Sequence, residues 1–245
     1  MKNLLIYINP RKDFDEEGKI GIKIQIDNSL DLGWKREDIM LVTNFSYEYN
    51  GMKALLVGDE NYCDFYPCVS KVNTIIDLFK KKLIKKGELY WFHDIHAYQL
   101  LKITESELDL MKADLGLTDR GFKPRFDTGT IFFKSSAEDI FHRIKELAYK
   151  YQEQEEFSLT ALYTNNLLWM TESEPVAQKQ FVPLNVPGTE NFPERIKTLN
   201  IRYNFGSDIL GKIYPLADKP IKAAHFHFSD DHLLDSFMYG KNSLK

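Results

Sequence analysis

The fold of this chain is decided by one stretch of its sequence, Leu89-Tyr90-Trp91-Phe92-His93-Asp94-Ile95-His96-Ala97-Tyr98-Gln99-Leu100-Leu101. Its apolar, aromatic start predicts a buried β-strand. Asp94 and His96 follow two residues apart, and side chains at that spacing on an extended chain project to the same side. A carboxylate and an imidazole that meet at one point can form part of a site for a divalent cation such as Mn²⁺. The alternative is a buried polar residue satisfied by the backbone, with His96 merely beside it.

Strand and helix patterns alternate on both sides of this stretch, which predicts a mostly parallel α/β sheet flanked by helices. The strand at residues 89–92 is apolar on both faces, so we expect it near the centre of the sheet. Residues 115–125 are rich in turn formers and are expected to be irregular. We predict strands at residues 4–8, 38–44, 53–58, 130–133, 180–184 and 223–229, and helices at residues 20–32, 70–86, 137–151 and 157–170.

Composition indicates one ordinary globular domain. The chain has 245 residues, of which 43% are hydrophobic and 28% charged, and its net charge is −4. That balance gives no general attraction to nucleic acids or acidic membranes, although a local basic patch remains open. Cys63 and Cys68 are expected to be free thiols in a reducing compartment. Because the first apolar run is too short for a signal peptide and no run is long enough for a membrane span, we expect a cytoplasmic protein.

Two cationic residues are candidates for contact with a ligand. Arg11 follows Asn9 and Pro10 in the loop after the first strand, where α/β sheets bind ligands, although a solvated loop cation is the alternative. Lys71 lies in the first turn of its helix, where the helix dipole disfavours a cation, so we expect it to face an anionic ligand. The lysine-rich end of the same helix, residues 80–86, suits the dipole and is expected to be a solvated face.

The order of these parts resembles the GT-A type of nucleotide-sugar glycosyltransferase, over roughly residues 3–230. In that family an acidic pair, Asp-x-Asp, ends a central strand and holds Mn²⁺ or Mg²⁺ against the donor diphosphate, and a late histidine often completes the metal site. The parts that carry the resemblance are the first strand and its loop (residues 4–11), Ser70-Lys71, Asp94-Ile95-His96, Asp127-Thr128-Gly129-Thr130, Glu155-Glu156 and His225-Phe226-His227.

The resemblance implies one GT-A-like domain over residues 1–245. Residues 1–101 would form the half that binds the nucleotide sugar, and residues 102–245 the acceptor side with a C-terminal tail. The implied activity is transfer of a hexosyl group from a nucleoside-diphosphate sugar, with UDP as the expected nucleotide. The acceptor stays open among a glycan, a lipid-linked sugar, a protein and a modified DNA base, and the acidic balance argues against DNA.

The resemblance also implies the site. Asp94, His96 and one of the late histidines, His225 or His227, would hold the divalent cation, either Mn²⁺ or Mg²⁺. His96 stands where the family has its second acid, which favours nitrogen-preferring metals or a transferase that depends little on metal. In the alternative, His96 hydrogen-bonds Asp94 and no metal binds. The residues expected beside the nucleotide sugar are Ile8, Asn9, Arg11, Lys71 and His93.

Candidate catalytic acids are Asp94, Asp127, Glu155 and Glu156. Each of the last three has a structural alternative: a turn residue for Asp127, and acids that suit a helix N-terminus for the glutamates. Whether transfer inverts or retains the sugar configuration is left open.

Two other functions compete. A sugar-phosphate nucleotidyltransferase on a related sheet would need a glycine-rich loop after the first strand, whereas here no glycine occurs before Gly18. A binding protein that kept the fold and lost the chemistry is the second, and His96 is the hint for it.

Overall fold

A seven-stranded sheet forms the central layer of the protein, and its strands lie side by side in the order Ile196–Leu199, Leu115–Asp119, Phe126–Lys134, Leu89–His93, Lys2–Tyr7, Ile39–Thr43 and Leu55–Leu56. The computed structural model describes residues 1–120, 125–165, 191–206 and 216–226. The predicted strand at residues 180–184, the end of the helix predicted at 157–170, and His227 lie outside these ranges. The strands of the sheet are β1 (Lys2–Tyr7), β2 (Ile39–Thr43), β5 (Leu55–Leu56), β6 (Leu89–His93), β8 (Leu115–Asp119), β9 (Phe126–Lys134) and β10 (Ile196–Leu199).

The sheet is mostly parallel, as predicted. β1 runs parallel to both β2 and β6, β2 runs parallel to β5, and β8 runs parallel to β10. β9 pairs antiparallel with both β6 and β8, and so runs against the other strands of this sheet. β6 is the middle strand and all five of its residues are buried, which confirms the prediction that this stretch is central.

The all-apolar pattern of β6 follows from a hydrophobic core on each face of the sheet. Tyr90 and Phe92 belong to one core, and Leu89 and Trp91 to the other. Helices α2, α4 and α5 contribute to the first core, and α1 contributes to the second. The helices are α1 (Glu16–Asp31), α2 (Ser70–Lys80), α3 (Glu105–Leu108), α4 (Glu138–Tyr151), α5 (Glu155–Thr164) and α6 (Phe192–Arg195). None of the helices described is long and apolar enough to cross a membrane.

Helix α2 ends at Lys80, earlier than the predicted end at residue 86. Lys82 takes a left-handed conformation with φ of 56°. The N–H groups of Lys82 and Leu83 donate to the carbonyls of Phe79 and Leu78, both at 2.9 Å. This is a Schellman motif, which satisfies the last carbonyls and stops the helix. Lys85 and Lys86 therefore lie beyond the helix, in the turn that leads into β6.

The prediction of an irregular segment at residues 115–125 is wrong for its first part, because residues 115–119 form β8. Gly116 permits this packing, since a Cβ there would lie 3.0 Å from the side chains of both Leu110 and Leu199. Thr118 is fully buried between β9 and β10. One of the two strands that pair with this segment, β10, is distant in sequence, so local composition did not reveal the strand.

A small second sheet lies against the end of β6. Its order is β11–β12–β7, with β7 (Ala97–Gln99), β11 (Phe205–Gly206) and β12 (Ala223–His225). β12 pairs antiparallel with β7, so that His225 lies opposite Ala97. A short hairpin, β3 (Glu48–Tyr49) and β4 (Met52–Lys53), completes the strands described.

Candidate active site

A cavity of about 460 Å³ opens where β6 ends, at the edge of the sheet that binds ligands in α/β folds. It brings together most of the site residues predicted from the sequence. A larger cavity, of about 660 Å³, lies at the opposite edge and is lined by none of the candidate catalytic acids. The residues that line the first cavity are Cys68, Lys71, Asp94, His96, Arg120, Asp127, Thr128, Gly129, Gln154, Glu155, Glu156, His225 and Phe226.

Lys71 is a buried cation at the floor of this cavity. Its Nζ lies 3.0 Å from Glu155 Oε1 and 3.4 Å from Asp94 Oδ2, and donates to the Thr128 carbonyl at 3.1 Å. Burial would lower the pKa of Lys71, but the Asp94 and Glu155 carboxylates outweigh burial and raise it. Lys71 is therefore a permanent ammonium that joins the end of β6 to the start of α5.

Glu155 is held as an anion. Its side chain is 2% exposed, and its Oε1 accepts a hydrogen bond of 2.7 Å from the Thr128 hydroxyl as well as the contact with Lys71. Burial raises the pKa of Glu155, yet the nearby Lys71 ammonium and the Thr128 hydrogen bond bring it below its ordinary value. Since its charge is engaged by these partners, we interpret Glu155 as a structural anchor of the cavity.

Asp127 is the centre of a second ion-pair group. Arg120 donates to its Oδ2 through Nε at 3.0 Å and also through Nη2. His225 Nδ1 lies 3.5 Å from its Oδ1, which also accepts from the Gly129 N–H at 2.8 Å. Burial opposes charge on both Asp127 and His225, but their mutual attraction prevails, so that the pKa of Asp127 is well below its usual range and that of His225 is raised.

Glu156 differs from the neighbouring acids in its ionisation. Its Oε1 accepts from the Thr128 N–H at 2.9 Å and lies 3.8 Å from Arg120 Nη2. Burial and the negative charge of Asp127 raise its pKa to about 7. A carboxyl group that titrates near neutral pH inside a cavity is the pattern expected of an acid–base or nucleophilic group.

Gly129 makes room for His225. A Cβ added at Gly129 would lie 2.3 Å from His225 Cε1, 2.4 Å from His225 Nδ1 and 3.0 Å from Asp127 Oδ1. The structure shows that it is the histidine ring of β12 that occupies the space.

Replacement of Gly129 by alanine is therefore expected to displace the His225 ring and destabilise the protein by about 1–3 kcal/mol. Separation from Asp127 should also lower the pKa of His225, which NMR titration of its ring proton would measure. The control is Gly21→Ala, because a Cβ at Gly21 makes only ordinary contacts with Ile95, at 3.4 Å or more. An unchanged His225 titration in Gly129→Ala would contradict this account.

His96 lines the same cavity, but the side chains that contact it and its neighbouring carbonyls come from helix α1. Its Nδ1 is 3.6 Å from Glu17 Oε1. The buried Gln25 amide donates to the carbonyls on either side of His96, to Ile95 at 2.8 Å and Ala97 at 3.2 Å. Asp94, two residues earlier, contacts Lys71 instead.

The sequence predicted a divalent-cation site at Asp94, His96 and one of the late histidines, His225 or His227. Asp94, His96 and His225 all line the cavity. Across residues 1–120, 125–165, 191–206 and 216–226, however, no three His, Cys, Asp or Glu side chains are grouped closely enough to hold a metal ion. His227, the other late histidine of the prediction, lies outside the described residues, so the cation site stays a prediction, and no catalytic step is assigned to a metal below.

The residues predicted to contact the nucleotide occupy two environments. Ile8, Asn9 and Arg11 lie on the loop after β1, outside the lining of the cavity. Asn44 fixes this loop, since its side chain accepts from the Asn9 N–H at 3.0 Å and donates to the Asn9 carbonyl at 2.8 Å. Arg11 is exposed at the same edge of the sheet.

His93 is placed in the core, contrary to the expectation that it faces a ligand. It is 1% exposed, its Nε2 lies 2.8 Å from Asn3 Oδ1, and its ring stacks on Trp91 at 4.2 Å. Burial lowers its pKa to about 4, so it is neutral at physiological pH. The physical reason is the alternation of β6, which turns His93 to the same face as Trp91 and away from Asp94.

Several features of the cavity were not predicted from the sequence, among them Arg120, Cys68 and the Thr128 side chain as a donor. Arg120 directly follows β8, and recognition of that strand would have placed it at the ligand-binding edge. Cys68 lies beside Glu155 and Lys71, and burial together with the Glu155 charge raises the pKa of its thiol. The thiol is therefore protonated and a poor nucleophile.

No protein-family model and no curated protein sequence matches the chain. Among solved structures, it is similar to the galactosyltransferase LgtC in complex with donor and acceptor sugar analogs, with a TM-score of 0.58 and 12% identity over 92% of this chain and 87% of that one. It is also similar to a glycosyltransferase involved in the glycosylation of the major capsid of PBCV-1, with a TM-score of 0.53 and 11% identity over 92% and 93% of the two chains.

The glycosyltransferase GlyE of Streptococcus pneumoniae TIGR4 is a third similar structure, with a TM-score of 0.57 and 11% identity. The match covers 94% of this chain and 55% of GlyE. At these identities the comparisons establish the fold. The chain has a GT-A-like fold, as the sequence predicted.

Proposed function

We propose that this protein is a glycosyltransferase that transfers a hexosyl group from a nucleoside-diphosphate sugar, with UDP as the nucleotide, to an acceptor hydroxyl. The observation that carries this proposal is the cavity at the end of β6, where Asp94, Asp127, Glu155 and Glu156 meet Lys71 and Arg120 on a GT-A-like sheet. The acceptor is left open.

Glycosyl transfer from a nucleoside-diphosphate sugar requires a carboxylate in a cavity of this kind. The bond between the anomeric carbon and the diphosphate oxygen breaks with its electron pair on the leaving diphosphate, and the sugar becomes oxocarbenium-like. A carboxylate close to the anomeric carbon stabilises or attacks that centre, or takes the proton of the acceptor hydroxyl as its oxygen bonds to the carbon. The other product is the nucleoside diphosphate.

We assign the acting carboxylate to Glu156. Glu155 and Asp127 are engaged in ion pairs of 3.0 Å and 3.5 Å, with Lys71 and His225, that hold them ionised. Glu156, with a pKa of about 7, can exchange a proton at working pH. The Asp94 side chain is 32% exposed at the cavity, and we assign its carboxylate to a hydrogen bond from a hydroxyl of the donor sugar. Ile8, Asn9 and Arg11 are assigned to the nucleotide, with the Arg11 guanidinium toward the diphosphate.

The proposal is tested by incubation of the protein with UDP-glucose, UDP-galactose, UDP-N-acetylglucosamine and GDP-mannose, followed by chromatography of the released nucleotide. Slow release of UDP without an added acceptor supports a transferase. Release of pyrophosphate from UTP and a sugar 1-phosphate would indicate the nucleotidyltransferase instead. Calorimetric binding of UDP with no turnover of any donor would indicate the binding protein. If UDP, GDP and CDP all fail to bind at about millimolar concentration, which corresponds to roughly 4 kcal/mol, the donor hypothesis is wrong.

Replacement of His96 by aspartate is expected to create an Asp-x-Asp pair and to tighten Mn²⁺ binding by on the order of tenfold, since a hard carboxylate replaces an imidazole beside Asp94. Calorimetry with MnCl₂ measures this directly. The control is His96→Asn, which removes the imidazole without adding charge. Equal Mn²⁺ affinity in His96→Asp and His96→Asn would show that position 96 does not reach a cation at Asp94.

A further inference from the structure

The edge of the sheet opposite the candidate active site carries a concentrated positive charge. All of its lysines are exposed, and they lie at the end of α2 and in the turn before β6. We call this surface the basic edge and define it by Lys80, Lys81, Lys82, Lys85 and Lys86.

Local electrostatics accounts for the positions of only two of the five lysines in the basic edge. A cation in the last turn of a helix is favoured by the helix dipole, which accounts for Lys80, and Lys81 pairs with Asp77 at 2.7 Å. Lys85 and Lys86 lie beyond the helix, where the dipole has faded. Lys82 occupies the left-handed position of the Schellman motif, where glycine would be less strained.

Three acids that line the 660 Å³ cavity together with Lys86 have partners of their own. The Glu88 carboxylate accepts from the Tyr90 hydroxyl at 2.7 Å, Asp109 pairs with Lys197 at 2.8 Å, and Glu105 pairs with the N-terminal ammonium of Met1. Residues 80–86 contain five lysines and no acid, so positive charge is concentrated in this short segment of the edge.

An exposed apolar side chain adjoins the lysines. Met111 is 89% exposed, and it lines the 660 Å³ cavity together with Lys86, Gly87 and Leu89. A single exposed methionine is unremarkable on its own. Beside a cluster of lysines it supplies an apolar side chain that can enter the interfacial layer of a bilayer, while the lysines meet the head groups.

We propose that the basic edge docks the protein on the surface of an anionic lipid bilayer. Clusters of four to eight basic residues bind acidic lipid surfaces. Each basic residue contributes to the binding free energy when it lies within a Debye length of the membrane surface. A flat bilayer touches this edge alone. A polynucleotide, the other polyanion to consider, would gain nothing from the exposed Met111 side chain beside the lysines, whereas the interfacial layer of a bilayer accommodates it. The candidate active site then faces away from the membrane, because it lies at the other edge of the sheet.

The test is flotation of the full chain with vesicles of phosphatidylcholine alone and of phosphatidylcholine containing about a third phosphatidylglycerol. We expect binding to the anionic vesicles only, and its loss at about 1 M salt, where the Debye length is near 3 Å. The test variant changes Lys80, Lys82, Lys85 and Lys86 together to glutamine and leaves the Lys81–Asp77 pair intact. Its partition coefficient should fall on the order of a thousandfold.

The matched control changes four exposed lysines elsewhere, Lys19, Lys53, Lys150 and Lys219, to glutamine, which gives the same net charge. It should still bind. The proposal is overturned if the parent does not float with anionic vesicles, if both variants lose binding equally, or if the parent binds RNA or duplex DNA more tightly than the vesicles. Donor hydrolysis should be unchanged in the test variant, so this result is independent of the proposed transfer.

Discussion

Replacement of Glu156 by glutamine is expected to reduce glycosyl transfer by about 10²–10⁴-fold, because the substitution removes the carboxylate that acts on the sugar or on the acceptor hydroxyl. In the parent, kcat/KM should rise with pH through about 7, as Glu156 loses its proton. That limb of the pH profile should be absent from the residual activity of the variant. An unchanged profile would show that another group is responsible.

The same substitution should stabilise the protein. The folded-state pKa of Glu156 is about 7, above its ordinary value of 4.5, so the unfolded chain releases the proton more readily. Parental stability therefore falls as pH rises from about 4.5 to about 7, and the cost is full above pH 7. Glutamine removes this cost, which amounts to about 3 kcal/mol. Chemical denaturation at pH 5 and pH 8 would show a gain for Glu156→Gln that is larger at pH 8.

The adjacent glutamate provides the control for both effects. The pKa of Glu155 is below its ordinary value, because the Lys71 ammonium and Thr128 outweigh burial. Glu155 therefore contributes stability above pH 4.5, which is lost as pH falls through its folded-state pKa. Glu155→Gln should destabilise the protein at pH 8, where Glu156→Gln stabilises it. Equal signs for the two variants would contradict the assigned environments.

Loss of the Lys71 ammonium should have the largest effect on stability. Lys71→Met leaves the Glu155 carboxylate, 2% exposed, without its cation, and we expect a cost of about 3–5 kcal/mol at pH 7. Without the cation, burial should raise the pKa of Glu155 above 4.5. The cost should then shrink as pH falls toward 4.5 and Glu155 becomes neutral in both states.

Two further variants separate charge from packing at Lys71. Lys71→Arg keeps the positive charge and should lose less stability than Lys71→Met. The double variant Lys71→Met/Glu155→Gln removes both charges and should recover part of the loss, since the uncompensated carboxylate is gone. Denaturation of the set at pH 7 checks this. Full additivity of the two single losses would show that the 3.0 Å contact is not energetically coupled.

The sequence predicted the fold well where structure is determined locally. β6 is a continuous apolar run because it is buried on both faces, and that property can be read from residues 89–92 alone. β8 could not be recognised in this way. Gly116 and Asp119 are poor strand signals, and the segment is a strand because it pairs with β9, the next strand of the chain, and with β10, which lies far along the sequence.

The candidate site, too, was predicted where the signal was local and missed where it depended on distant parts of the chain. The sequence indicated Lys71, Asp94 and Glu155 individually, from their positions at helix starts and a strand end. It did not indicate that Lys71 pairs with Glu155, which is far along the chain. His93 could have been excluded from the ligand site by the alternation of β6, because it shares a face with the core residue Trp91. Arg120 carried no local signal once β8 was missed.

The small sheet that joins β12 to β7 also bears on how the protein reaches its functional state. Residues 97–99 pair with residues 223–225, and the Phe226 N–H donates to the His96 carbonyl at 3.0 Å. These strands can pair only when the chain between residues 99 and 223 closes into a loop. Closure of so long a loop is slow relative to the formation of local contacts. During synthesis, β1, β2, β5 and β6 can pair long before His225 leaves the ribosome. The central strands of the sheet can thus form before the candidate active site does. A nascent chain has its complete cavity only after residues 223–226 have been synthesised and have paired with residues 96–99.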